Sequence, residues 1–169
     1  MAQRIRAKQN AFASSSVRIG GTSGAHAERA VALCTYSGTL SVVKIRQAIK
    51  AKRDQLARGY AKSGLSKAKV VNSIKQPLRE YAAKLTATAL PVMEKRMDAL
   101  VAKRVAAACA EAGVTSPAID MNWTEMVRNG WANESVREKP SDPVDVRIAK
   151  AEIRAIMKEV NQHMTTFAA

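Results

Sequence analysis

Aromatic residues make up only 4% of the 169 residues, and histidine occurs twice, at His26 and His163. So few rings supply no stacking platform for single-stranded bases: Tyr36, Tyr60 and Tyr81 are dispersed, and two of them fall on apolar seams. Cysteine is equally scarce. Cys34 and Cys109 stand far apart with no CxxC pairing, which excludes a disulfide scaffold and suits a reducing compartment. Both are expected as small buried residues of Ala-rich helices. No apolar run approaches the ~20 residues that a membrane-spanning helix needs, and sustained apolar/polar alternation of the strand type is also missing.

The most informative shortage is of acids in the first half. Residues 1–90 hold seventeen Lys or Arg against Glu28, Asp54 and Glu80, whereas residues 91–169 hold eleven of each sign. The whole formal charge of +14 therefore lies in the first 90 residues. Solubility alone gives no reason for such segregation. It fits a half that meets a polyanion and a neutral half that packs or meets partners.

What remains is rich in helix formers. Apolar residues reach 47%, with alanine supplying much of that, so helices form readily while each residue buries little area. A core thin enough to need neighbouring subunits is the expectation, and with it a homo-oligomer or larger assembly. The fold is expected to be all-α, an elongated multi-helix bundle or helical assembly subunit with a basic N-terminal arm and five to seven helices. Residues 1–24 read as a basic Gly/Ser-rich arm with a helical turn near its start. Residues 25–113 read as a basic helical region, and 114–169 as a neutral helical region ending in a packing helix. The arm carries Arg4, Arg6, Lys8 and Arg18 and no acid. That composition is also that of an organelle transit peptide, but the preferred reading is an arm laid on a partner, with no signal peptide.

Helix boundaries follow from local chemistry. Ser23 is a candidate cap for HAERAVALCTY, closed by Gly38. Thr39 or Ser41 caps the next helix, KIRQAIKAKRDQLARGYAK, in which Val42, Ile45, Ile49, Leu56 and Tyr60 form a narrow apolar stripe. Its remaining surface is cationic: Lys44, Arg46, Lys50, Lys52, Arg53, Arg58 and Lys62, against the single acid Asp54. After Gly64 and the cap Ser66, a packing seam runs through Val71, Ile74, Leu78, Tyr81 and Leu85, with Pro77 expected to kink or restart the helix. Pro91 begins a further segment with Met93, Met97, Leu100 and Val101 inward, ended by Gly113. Asn122 with Glu125 forms a capping-box start, and Trp131 is expected to pack back on Met126 or Val127 after Gly130. The last helix, opened by Asp142-Pro143, carries a seam through Ala149, Ile153, Ile156, Val160, His163 and Phe167. The two seams are the candidate oligomer and packing surfaces.

Catalysis finds little support. No cluster of His, Cys and Asp has metal-ligand spacing, and GGTSG at 20–24 has neither the lysine nor the preceding strand of a phosphate loop. His26 and Cys34 lie near one helical face, but a buried thiol beside a surface histidine explains them better than a nucleophile pair. His163 reads as a packed residue, and Glu94 with Asp98 as a solvated pair. No cofactor or metal is expected, and no enzymatic activity.

Lysine and arginine that neutralise phosphates release counterions, a source of affinity that needs no base sequence. The expected function is therefore a non-enzymatic structural subunit of a virion-type nucleoprotein particle, in the cytoplasm or within the particle. Its basic half contacts nucleic acid through phosphates, and its neutral half mediates assembly. A membrane surface ranks lower, because the basic helix has a narrow apolar stripe and both tryptophans lie in the neutral half. The second reading is a sequence-specific regulator. Residues 58–75 have the outline of a helix-turn-helix in which Lys67, Lys69 and Asn72 face the groove and Asn72 reads a base edge, although Tyr60 occupies the position where the motif needs a small residue. A more distant alternative is an adaptor that binds an acidic protein surface.

Overall fold

The computed structural model describes residues 4–6, 26–128 and 136–164. Its elements in chain order are β1 (Arg4–Arg6), α1 (His26–Tyr36), α2 (Val42–Lys62), α3 (Lys67–Ala87), α4 (Leu90–Glu111), β2 (Ala118–Asp120), α5 (Trp123–Arg128) and α6 (Val144–Asn161). The fold is all-α, with six helices among the described residues. One addition is a short parallel pairing of β1 with β2, Arg4 opposite Ala118 and Arg6 opposite Asp120. Residues 4–6 are thus extended rather than part of a helical turn. Three residues carry no period of their own, and the conformation comes from a backbone partner more than a hundred positions away. Ser23, Gly130 and Trp131 lie outside the described residues.

The helix ends follow the local signals. Ser41 Oγ accepts the Lys44 N–H at 3.4 Å, Ser66 Oγ accepts the Lys69 N–H at 3.5 Å, and Asn122 Oδ1 accepts the Glu125 N–H at 3.0 Å. Gly38 and Gly64 close α1 and α2 at φ 72° and 77°, a region that L side chains rarely adopt. Pro77 departs from expectation, for α3 runs through it as one helix. A proline inside a helix removes one hydrogen bond and crowds the preceding turn. Here Ile74 before it and Leu78 after it are both buried in one row, and a restart would turn the second away from the core.

Two apolar clusters meet at α1. The larger, called the body here, joins Met93, Met97, Val101 and Val105 of α4 to Ala149, Ile153, Ile156 and Val160 of α6, with Trp123 and Met126 of α5. The smaller joins Ile45 and Ile49 of α2 to Leu78 and Ala82 of α3. Helix α1 supplies Ala30, Leu33 and Cys34 to the first and Ala27 and Val31 to the second. Eight of its eleven residues are buried, which requires small side chains on both faces. Even Thr35 fits, because its hydroxyl donates back to the Val31 carbonyl at 2.9 Å.

The expected α3 seam is displaced. Its deepest row is Val70, Ile74, Leu78, Ala82 and Thr86, while Val71, Tyr81 and Leu85 are half-buried. Steps of four follow a helix lying at an angle to its neighbours, whereas alternating three and four suits a supercoiled seam. Ile153, Ile156 and Val160 are fully buried against α4 and α1. The apolar seams are therefore taken up inside one chain, and Phe167 lies outside the described residues.

Glu94 and Asp98 are not a solvated pair. Glu94 accepts the Thr124 N–H and hydroxyl, each at 2.6 Å, and the Trp123 N–H at 3.3 Å. Asp98 accepts the Trp123 indole N–H at 2.9 Å. Together they hold the start of α5 and the largest fully buried side chain of the body. Burial pushes the Asp98 carboxyl above its ordinary value, the indole bond opposes that shift, and Glu94 adds to it. Across α4 and α6, Arg104 bonds Glu159 at 2.8 Å and Glu152 at 3.2 Å, and Tyr36 donates to Glu159 at 2.6 Å. Those bonds, the one from Tyr36 first, hold Glu159 below the usual glutamate range. His163 lies past the end of α6, edge-on to the Tyr36 ring at 5.5 Å.

Leu78 is 0% exposed at the junction of three helices, whereas Val43 is 63% exposed. In urea unfolding, Leu78→Ala is expected to remove about 2–5 kcal/mol, and Val43→Ala less than about 0.5 kcal/mol.

Candidate nucleic-acid interface

Helices α2 and α3 contain twelve lysines and arginines against Asp54 and Glu80, a net +10. Lys44, Arg46, Lys50, Arg58 and Lys62 are exposed, as are Lys67, Lys69 and Asn72, while Lys52 and Arg53 are half-buried. Neutralisation within the fold is slight. Arg53 reaches Asp54 only at 4.0 Å. Lys52 donates to Gln55 at 3.4 Å and lies 5.5 Å from the centre of the Tyr81 ring. Among the described residues, the five exposed cations of α2 have no carboxylate partner.

The body is built differently. Lys150 is nearly buried and bonds Asp142 at 2.8 Å and the Arg137 carbonyl at 3.0 Å. Arg104 bridges two glutamates, Arg154 reaches Glu138 at 3.4 Å, and Arg128 reaches Glu125 at 3.8 Å. Among the described residues, Arg104, Arg128, Lys150 and Arg154 of the body thus meet acids, whereas the five exposed cations of α2 do not.

The cations of α2 occupy two flanks of its apolar stripe. Arg46, Lys50 and Arg53 are spaced by four and three on one flank. Lys52 stands on the other, with Lys44 and Lys62, five full turns apart, beyond it, and Arg58 faces away from the stripe. The expected arm residues are not gathered with them: Arg4 and Arg6 belong to β1, which pairs with β2 beyond α4. Lys8 and Arg18 lie outside the described residues.

The segment 58–75 does not have the geometry of a helix-turn-helix. That motif sets its helices at ~90–120° from a short turn. Here Lys52, eleven positions before Ser63, meets Tyr81, fifteen positions after Ser66, and Ile45 and Ile49 share one cluster with Leu78 and Ala82. Helix α3 therefore lies back along α2 as an αα-hairpin. Asn72 is exposed on its outer surface rather than on a recognition helix crossing at the turn.

Burial pushes the Cys34 thiol up to about 12, so no thiolate is available at neutral pH, and Cys109 is buried as well. His26 is half-buried, and its pKa is lowered by burial first and then by Arg29 and Arg128. Among the described residues no three His, Cys, Asp or Glu side chains come together as metal ligands. Sequence reasoning missed the surface clefts along α2, whose one local trace is Gly59 in the last turn of the helix.

No protein-family model matches the chain, and neither a curated protein nor a solved structure matches it.

Unmatched like charges on one hairpin repel each other, and salt screens them. Added NaCl is therefore expected to raise the Tm of the chain in thermal unfolding. In a variant carrying Arg46→Gln, Lys50→Gln and Arg53→Gln, the rise is expected to be clearly smaller.

Proposed function

We propose that this chain is a non-enzymatic structural protein of a nucleoprotein particle, and that it binds nucleic acid through phosphates with the α2–α3 hairpin. The observation that carries this reading is the contrast between the two surfaces. Arg104, Lys150 and Arg154 of the body bond carboxylates, whereas α2 and α3 carry a net +10 and the five exposed cations of α2 have no carboxylate partner among the described residues. A folded chain that retains such repulsion gains from a partner of dense negative charge, and a nucleic-acid backbone supplies it.

Phosphate contact of this kind positions the protein without reading bases. Arg46, Lys50 and Arg53, spaced by four and three along one flank of α2, suit a hairpin laid against a nucleic-acid backbone. The neutral body serves as the part that other components of the particle contact. Assembly with copies of the chain would use its outer surface, because Ile74, Leu78, Ile153, Ile156 and Val160 are consumed in the core.

The test is binding to several unrelated duplexes across a salt series. Similar affinities are expected for all of them, falling ~10³- to 10⁵-fold between 50 and 200 mM salt if six to ten phosphates are contacted. Lys50→Glu with Arg53→Glu should weaken every duplex alike. One duplex preferred by ~10³ or more would instead indicate a sequence-reading regulator, and unchanged binding in the double variant would mean that the hairpin is the wrong surface.

A further inference from the structure

Two clefts of about 340 and 440 Å³ lie end to end on one face of α2. From Ser41 through Ala48 and Lys52 to Gly59 and Ser63, their lining positions advance by seven, four, seven and four. That spacing keeps them on a single side of the helix for about 33 Å. Only α2, the two loop residues before its cap and Leu85 of α3 line them, so neither α1 nor the body reaches this face. Ile45, Leu56, Tyr60 and Leu85 give the floor an apolar character.

Gly59 is the residue that the chain's own packing does not explain. It lies in the last turn of α2 without the positive φ of Gly38 and Gly64, and a Cβ placed on it would meet nothing within 4 Å. Glycine in a helix interior is unfavourable relative to alanine. A small residue at an exposed helical position lets a second helix approach closely. Ala48, eleven positions earlier on the same line, does the same in the other cleft.

We infer that this groove is the docking site for an acidic amphipathic helix of a partner protein. The length and the small residues fit a helix, and the half-exposed aliphatic floor fits its apolar face. Charge selects its sign. Lys44 and Lys52 line the groove, Lys62 lies five turns from Lys44 on the same side, and none of them bonds a carboxylate among the described residues. A second copy docking by the same hairpin would set +10 against +10. An apolar floor gives phosphates nothing to bind. The groove therefore stands apart from the phosphate-contacting role, which rests on the flank of Arg46, Lys50 and Arg53.

The probe is a synthetic peptide of three heptads with Leu at a and d and Glu elsewhere, followed by fluorescence anisotropy on the whole chain. Saturable binding and a gain of peptide helicity by circular dichroism are expected. Gly59→Leu fills the groove while favouring the helix. It should weaken the peptide at least about tenfold and leave affinity for duplex DNA unchanged. The triple change Arg46→Gln, Lys50→Gln and Arg53→Gln should weaken the duplex far more than the peptide. Absence of peptide binding would overturn the inference. So would equal binding by a shuffled peptide of the same composition, or full peptide affinity in Gly59→Leu. A dimer of the chain alone that Gly59→Leu dissociates would assign the groove to a second copy, and loss of duplex affinity in that variant would assign it to nucleic acid; either result overturns the inference.

Discussion

Ten net positive charges are held on two antiparallel helices by one narrow row of apolar contacts, in which Ile45, Ile49, Leu78 and Ala82 close on Ala27 and Val31. Each added cation at helical spacing weakens the hairpin by a few tenths of a kcal/mol, and with only Asp54 and Glu80 in these helices little internal charge opposes it. The apolar row must therefore outweigh both conformational entropy and self-repulsion. That constraint accounts for the full burial of Leu78, for α3 continuing through Pro77, and for Lys52 lying against the Tyr81 ring instead of extending into solvent.

Helix α1 makes the arrangement possible. A helix buried on opposite faces needs side chains short enough for neighbours to approach on each, and Ala27, Ala30 and Ala32 provide that. The body beyond it is conventional in its electrostatics. Arg104 and Lys150 each meet carboxylates, and Glu94 and Asp98 accept the Trp123 and Thr124 donors at the start of α5. The alanine content that implied a thin core is used instead to let one short helix serve two cores.

Features set by a few neighbouring residues were legible in the sequence. The caps at Ser41, Ser66 and Asn122, the terminators Gly38 and Gly64, and the inward faces of α4 and α6 all depend on residues within one or two turns. What was illegible depends on distant partners. Glu94 and Asp98 look like a solvated pair until Trp123, twenty-five or more positions on, is brought to them. The α3 row was misplaced because Ala82 and Thr86 carry little hydrophobic signal, yet they occupy the positions where helices approach most closely. The helix-turn-helix outline failed because the angle between two helices is decided by contacts such as Lys52 with Tyr81, far from the turn. Of the candidate interface, the exposed cations could be named from composition and period, whereas the groove beside them has a floor and an edge drawn from separate elements.

The central claim is that the unmatched cations of the hairpin are where a nucleic-acid backbone rests. Lysine acetylation footprinting by mass spectrometry, with and without saturating duplex DNA, reads this residue by residue. Lys44, Lys50, Lys62, Lys67 and Lys69 are exposed on the hairpin, and Lys95, Lys103 and Lys158 are exposed on the body as internal controls. The account predicts protection of hairpin lysines, Lys50 among them, with the body lysines unchanged. Protection centred on the body, or equal reactivity of all eight lysines in the bound state, would contradict it.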